Sequence, residues 1–302
     1  MDQTRITGAT WAAMAALALI WGGSFLSNHV ALEGVGPITL VAFRMSGAAL
    51  ALWAVALARG WPVPTSPAVW LTFAVMGLLN NVIPFSLISW GQQTVPSGLA
   101  AILNASTAIF GVVVAAMVFA DERLTLPRLA GVALGFAGVA TAIGIENLKA
   151  FDLTALSQLA ILGATVCYAI SGAFARLKFK GITPQVAALG MASASAVMVW
   201  PAALMGEGVP SFAYEAQVWA ALAYLALMAT AVAYLLMYWI IPRAGAGNTS
   251  LITLLVAPVA IVLGAVVLQE KLPANAYVGF ALLALGLILL DGRVLRKLNG
   301  TT

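Results

Sequence analysis

The chain has 302 residues, of which 63% are hydrophobic and only 8% are charged. A soluble domain carries about 25% charged residues, so this composition excludes a soluble enzyme and a disordered protein. The mean hydropathy of +1.03 comes from long apolar runs along the whole chain, which are typical of a multi-pass helical membrane protein. The net charge of +4 comes from basic residues scattered over short loops, so we predict no nucleic-acid partner.

Ten apolar segments are long enough to cross a bilayer, because a helical crossing takes about 20 residues. Backbone groups in hydrocarbon need internal hydrogen bonds, and these runs are too long and too apolar for barrel strands. The sequence therefore predicts an all-α integral membrane protein with ten transmembrane helices. The predicted spans cover residues 9–32, 38–58, 68–90, 97–120, 126–145, 156–179, 183–205, 217–241, 247–268 and 274–292.

The loop charges predict an orientation in the bilayer. With ten spans both termini lie on one side, and the positive-inside rule makes the side richer in Lys and Arg cytoplasmic. Two basic residues fall on the opposite side, Lys149 and Lys271, and Arg44 lies inside a span. We therefore expect a bacterial-type inner membrane with both termini cytoplasmic. The basic residues of the terminal side are Arg5, Arg59, Arg123, Arg128, Arg176, Lys178, Lys180, Arg243, Arg293, Arg296 and Lys297.

The sequence contains an internal repeat. A shift of 147 positions aligns residues 21–57 with 168–204 without a gap, and similar shifts align the later segments. We predict two five-helix units, residues 1–148 and 149–302. An odd number of spans inverts the second unit relative to the first, as in many secondary transporters. The matched pairs include Ser24 with Ser171, Pro37 with Pro184, Ser46 with Ser193, Trp53 with Trp200, Trp90 with Trp239 and Glu122 with Glu270.

An alternative for the first segment is a cleaved secretory signal, because Arg5 precedes its apolar run. The run is longer than the apolar core of a usual signal, and it matches the sixth segment in the repeat. Both observations favour a membrane-spanning helix.

Several motifs recur in the two units. Each unit closes with a loop, Asp121-Glu122-Arg123-Leu124 or Gln269-Glu270-Lys271-Leu272, and the first opens with Ile20-Trp21-Gly22-Gly23-Ser24-Phe25. The helix after each loop carries paired glycines, which predict close helix packing: Gly131, Gly135 and Gly138 in the first unit, Gly279 and Gly286 in the second. Glu122 and Glu270 lie at helix ends, where capping or loop anchoring is expected.

With these motifs the chain resembles the paired EamA-type repeats of the drug/metabolite transporter superfamily over nearly its whole length, and most resembles its bacterial aromatic amino-acid exporters. The resemblance implies a ten-helix basket with a central cavity lined mainly by the first, third, fourth, sixth, eighth and ninth helices. The two halves are not equivalent at Pro258, because the repeat aligns this proline with Phe110.

No catalytic or cofactor motif is visible. The sequence has one histidine, one cysteine and no nucleotide-binding or nucleophile motif, so we predict no enzyme, no metal, no cofactor and no ATP-driven pump. A membrane-embedded enzyme or scaffold subunit is the alternative class, which a His or Asp pair inside the spans would favour. Nothing in the sequence indicates an oligomeric state.

Polar residues inside the spans predict where a solute binds, because they are costly in hydrocarbon and usually face a cavity. Such Ser, Thr and Asn residues also join helices, and Trp and Tyr also form interfacial belts. Arg44 is expected to snorkel or to bond carbonyl groups. The predicted substrate-binding residues are Trp21, Ser24 and Asn28 on the first span, Asn80, Asn81 and Trp90 on the third, Asn104 and Thr107 on the fourth, Tyr168 and Ser171 on the sixth, and Tyr234 and Tyr238 on the eighth.

The residue types also limit the substrate. One arginine is too few for phosphorylated solutes, and the acidic residues fall in loops or at helix ends, which disfavours polycationic drugs and tight proton coupling. We predict facilitative export of amino acids, aromatic and other neutral ones, by alternating access. Export of xenobiotics or cationic drugs is the alternative.

Overall fold

The computed structural model describes residues 7–120, 122, 125–144, 153–244 and 251–291, and within them all regular secondary structure is helical. Ten helices follow one another within a few residues of the predicted spans, which confirms the predicted fold class. Some of the predictions lie outside the described residues. They are residues 145, 247–250 and 292 of the predicted spans, the predicted boundary near residue 148, and the basic residues Arg5, Arg123, Lys149, Arg293, Arg296 and Lys297. The helices are α1 (Gly8–Leu32), α2 (Pro37–Arg59), α3 (Pro67–Gly91), α4 (Ser97–Val118), α5 (Leu126–Ile143), α6 (Leu153–Lys178), α7 (Pro184–Gly206), α8 (Ala216–Ala244), α9 (Leu251–Val267) and α10 (Ala274–Asp291).

Helices α1 to α8 are each long and apolar enough to cross a bilayer. The other two hold shorter apolar stretches, Leu255–Val267 and Ala274–Leu289. Several helix starts have a local cause, because proline fixes the backbone angle φ and its missing N–H has no helical partner in the first turn. Prolines in the first turn are Pro37, Pro67, Pro127 and Pro184.

Three helices are interrupted, two of them at equivalent positions of the repeat. The segment Leu78–Val82 of α3 is π-helical, and so is Tyr224–Val232 of α8. Helix α4 is interrupted at Ala105 and Ser106. π-Helical segments often occur at functional sites, because they turn side chains and free backbone groups.

The helix packing has the symmetry of the repeat. Helix α1 packs against α9, and the equivalent α6 packs against α4. Helix α3 packs against α6, and the equivalent α8 packs against α1. Helix α2 packs against α8, and the equivalent α7 packs against α3. The equivalent helices α2 and α7 pack on each other, as do α5 and α10. The two halves therefore interlock around one pseudo-twofold axis.

A reciprocal pair of hydrogen bonds joins α2 and α7. Trp53 Nε1 donates to Ser193 Oγ at 3.0 Å, and Trp200 Nε1 donates to Ser46 Oγ at 2.8 Å. These are equivalent residues of the repeat, and such reciprocity is what a twofold axis between two surfaces requires. The later residue of α2 contacts the earlier residue of α7, so these equivalent helices are antiparallel, as in inverted repeats.

Helices α5 and α10 approach each other closely through their glycines. A Cβ atom added at Gly138 would meet the backbone of Gly279 and Leu283, and one at Gly286 would meet the backbone of Gly131 and Gly135. The predicted packing role of these glycines is thereby confirmed.

Candidate functional site

Five polar side chains from α3, α6, α7 and α8 hydrogen-bond to one another inside the helix bundle. Asn81 is fully buried; its Nδ2 donates to Ser195 Oγ at 3.0 Å, and its Oδ1 accepts from the Tyr234 hydroxyl at 2.6 Å. Asn80 Nδ2 donates to Asn81 Oδ1 at 3.2 Å, and Asn80 Oδ1 accepts from the Ser171 hydroxyl at 3.0 Å. We refer to Asn80, Asn81, Ser171, Ser195 and Tyr234 as the interior polar cluster.

The π-helical segments help to build this cluster. Asn80 and Asn81 lie within the π-helical segment of α3, and Tyr234 lies two residues after the end of that of α8. Asn80 Nδ2 also lies 3.3 Å from the Tyr234 hydroxyl. Polar groups of both repeats therefore meet where both third helices depart from regular α-helical geometry.

Arg44 is 7% exposed and contacts the π-helical segment of α8 that precedes Tyr234. Its Nε donates to the Thr230 hydroxyl at 2.9 Å, and its guanidinium carbon lies 3.7 Å from the centre of the Phe85 ring. The expected bond to a carbonyl group is replaced by these two contacts. No acidic residue in the described part of the chain forms an ion pair with Arg44.

A partly open cavity of about 190 Å³ lies between α4 and α6. Two predicted site residues, Thr107 and Tyr168, line it. The Tyr168 ring packs edge-on against Phe85 with 6.4 Å between ring centres, so the cavity adjoins the ring on which Arg44 stacks. Asn104, at the α4 interruption, has a buried Oδ1 atom without a hydrogen-bond donor among the described residues.

Three predicted residues of α1 lie outside the interior polar cluster. Trp21 Nε1 donates to the Ala229 carbonyl of the α8 π-helical segment at 3.3 Å, and the Ser24 hydroxyl donates to the Trp21 carbonyl at 2.6 Å. Asn28 bonds to Gln92 at 3.0 Å and accepts from Ser89 at 2.9 Å. These contacts join α1 to α8 and to the end of α3.

The remaining predicted residues, Trp90 and Tyr238, form no hydrogen bond through their side chains with the described residues. Trp90 is 37% exposed at the end of α3, as is its repeat counterpart Trp239 at 38% in α8. Tyr238 is half-buried, one turn after Tyr234.

The acidic side chains of the described residues lie at helix ends or in loops. Glu122 pairs with Arg128 and Arg176, at 3.1 and 3.5 Å. Glu270 accepts from the backbone of Ser97 and Gly98 at the start of α4. The expected capping and anchoring roles of the two glutamates are confirmed.

The chain matches a known family of membrane transporters. A model of the EamA-like transporter family matches residues 7–144 and 155–290, and this chain belongs to that family of multi-pass membrane proteins. The chain is 22% identical to the transporter YoaV of Bacillus subtilis over 90% of this chain and 93% of YoaV.

Two further comparisons cover nearly the whole chain. It is 26% identical to the "Probable terminal-alkyne amino-acid exporter" of Streptantibioticus cattleyicolor, over 97% of this chain and 96% of that protein. It shares its fold with a protein of known crystal structure at a TM-score of 0.68 and 20% identity, covering 97% of this chain and all of the other.

Proposed function

We propose that the protein is an inner-membrane exporter of amino acids, aromatic and other neutral ones, with both termini cytoplasmic. Residues 1–148 and 149–302 act as two inverted units that alternately open the interior to either side. The interior polar cluster is the observation that carries the proposal. It offers uncharged amide and hydroxyl groups, which can bind both charges of a zwitterion.

Four further features support the proposal. The "Probable terminal-alkyne amino-acid exporter" of Streptantibioticus cattleyicolor is similar over almost the whole chain, and the sequence as a whole resembles the bacterial aromatic amino-acid exporters of the family. The ring of Tyr168 lines the cavity and packs against that of Phe85, and such aromatic rings suit an apolar side chain. The described spans hold no acidic residue in their interior, so a proton carrier is missing there and we propose facilitative transport.

Export of cationic drugs is the second candidate, and the same aromatic rings favour it, since they can bind a cation through their faces. The buried positive charge of Arg44 opposes it, because like charges repel strongly in a medium of low dielectric constant. We therefore rank amino acids first.

The experiment is exchange in proteoliposomes that contain the purified protein. Labelled phenylalanine, methionine and threonine are added outside, with excess unlabelled solute inside, at equal pH and across a pH gradient. We expect rapid exchange of label at equal pH and no further stimulation by the gradient. If the protein is monodisperse and shows a cooperative thermal unfolding transition, absence of exchange would contradict amino-acid transport. Uptake of a cationic dye would then favour the second candidate.

Within the proposed site, Tyr234→Phe is expected to slow exchange about 3- to 10-fold at subsaturating solute. The substitution removes only the hydroxyl that bonds to Asn81, and one such bond is worth about 1 kcal/mol. Tyr277→Phe on α10 is the matched control, since Tyr277 is 47% exposed and its hydroxyl bonds to no described residue, and it should change exchange less than twofold. Equal effects of the two substitutions would exclude a special role for the interior polar cluster.

A further inference from the structure

We propose that Arg44 binds the carboxylate of the transported solute, so that a free carboxylate is the group that the site selects. This inference rests on the proposed function in taking amino acids as the solutes. It deepens that proposal by naming the recognised chemical group and the side chain that recognises it.

Arg44 has no counter-ion among the described residues. A charge buried within a membrane span is costly unless it is paired, and such residues usually pair or face a solute pathway. Arg44 is the eighth residue of the 23-residue helix α2 and is 7% exposed. Its two contacts, the Thr230 hydroxyl and the Phe85 ring, are neutral.

The acidic residues of the described chain are engaged elsewhere. Glu207 accepts from the backbone of Ile38 and Thr39 at 2.9 and 2.8 Å, at the first turn of α2. Glu122 pairs with other arginines, and Glu270 caps α4. Within the described residues, therefore, the positive charge of Arg44 is left for an anion that comes from outside the chain.

The guanidinium group of Arg44 is held in a fixed orientation. Its Nε is fixed by Thr230 and its face by Phe85, so its plane is held in place. The two terminal nitrogens form no hydrogen bond with the described residues, and a guanidinium edge binds a carboxylate through two parallel bonds. Phe85 packs edge-on against Tyr168, which lines the cavity, and Thr230 lies four residues before Tyr234 of the interior polar cluster, so the guanidinium group is near both.

The solute's ammonium group meets weaker partners. The residues that line the cavity offer it neutral acceptors only, such as the hydroxyl groups of Thr107 and Tyr168. Hydrogen bonds between a charged and a neutral group are weaker than a pair in which both groups are charged. The site should therefore tolerate loss of the amino group better than loss of the carboxylate charge.

The test is ligand-induced thermal stabilisation of the purified full-length protein by phenylalanine, 3-phenylpropionate and phenylalaninamide. The first two carry the carboxylate, and the third carries only the ammonium group. We expect the amide to bind at least about tenfold more weakly than both acids. Arg44→Gln should weaken binding of both acids about 10- to 100-fold and leave binding of the amide unchanged. Arg44→Lys should retain part of the preference for acids.

Arg59→Gln, at the exposed end of the same helix, is the control and should bind all three ligands as the native protein does. If Arg44→Gln fails to fold, the ligand preference of the native protein and of Arg44→Lys decides. The proposal is overturned if the amide binds as well as the acids, if Arg44→Gln keeps its affinity for them, or if no acid binds. If the protein exchanges amino acids but does not prefer the acids over the amide, the proposed role of Arg44 is overturned and the proposed function stands. Binding of 3-phenylpropionate without any amino-acid exchange would support Arg44 and overturn the proposed function.

Discussion

Replacing Glu270 by alanine is expected to lower the free energy of unfolding by about 2 to 4 kcal/mol, because a charged cap is lost from α4. The carboxylate accepts three hydrogen bonds, from Ser97 N at 2.8 Å, Ser97 Oγ at 2.9 Å and Gly98 N at 3.2 Å. Without it these donors at the first turn of α4 lose their partner. Denaturant unfolding of the protein in detergent measures the change.

Glu33→Ala is the matched control for this experiment. Glu33 is exposed at the end of α1 and accepts one bond, from Gln217 at 3.1 Å. Exposed contacts of this kind contribute about 0.5 kcal/mol or less. If both alanine variants unfold alike, the cap on α4 does not stabilise the fold.

Gly138→Ala is expected to destabilise the protein by about 3 kcal/mol, at the upper end of the usual cost of overpacking. The new Cβ atom would lie 2.5 Å from Leu283 N and 2.7 Å from the Gly279 carbonyl oxygen. Both are backbone atoms, so α5 and α10 have to move apart. The same unfolding measurement reports the loss.

Gly163→Ala introduces the same methyl group on α6 as a control. Its Cβ would lie 3.6 Å from Leu87 Cδ1, an ordinary contact distance. Because alanine favours the helix over glycine by up to about 1 kcal/mol, this variant should be as stable as the native protein or slightly more so. A native stability for Gly138→Ala would show that the α5–α10 contact is loose.

The ten spans could be predicted because a bilayer sets both the length and the apolar character of a helix. Their ends followed from proline and glycine, as at Pro37 and Pro184. The interruptions could not be predicted in the same way. In spans that are apolar on all sides the periodicity of side chains carries little signal, so the π-helical segments at Leu78–Val82 and Tyr224–Val232 leave no pattern in the sequence.

The candidate site was predicted in part. Asn80, Asn81, Ser171 and Tyr234 stood out because polar groups in a span need partners, and the structure brings these four together. Ser195 and Thr230 escaped notice, since hydroxyl groups in membrane helices commonly bond to their own backbone, as these two also do. Arg44 carried a signal, its charge inside a span, but its contacts depend on which helices pack around α2.

The two halves related by the pseudo-twofold axis between α2 and α7 differ in charge in the interior. The repeat places Met191 opposite Arg44, and Met191 is also buried, 3% exposed. A true homodimer with an arginine in each subunit would offer a bound solute two equivalent orientations. In this chain only one half carries the buried arginine, so a solute that bound Arg44 by its carboxylate, as we propose, would have a single preferred orientation in the interior.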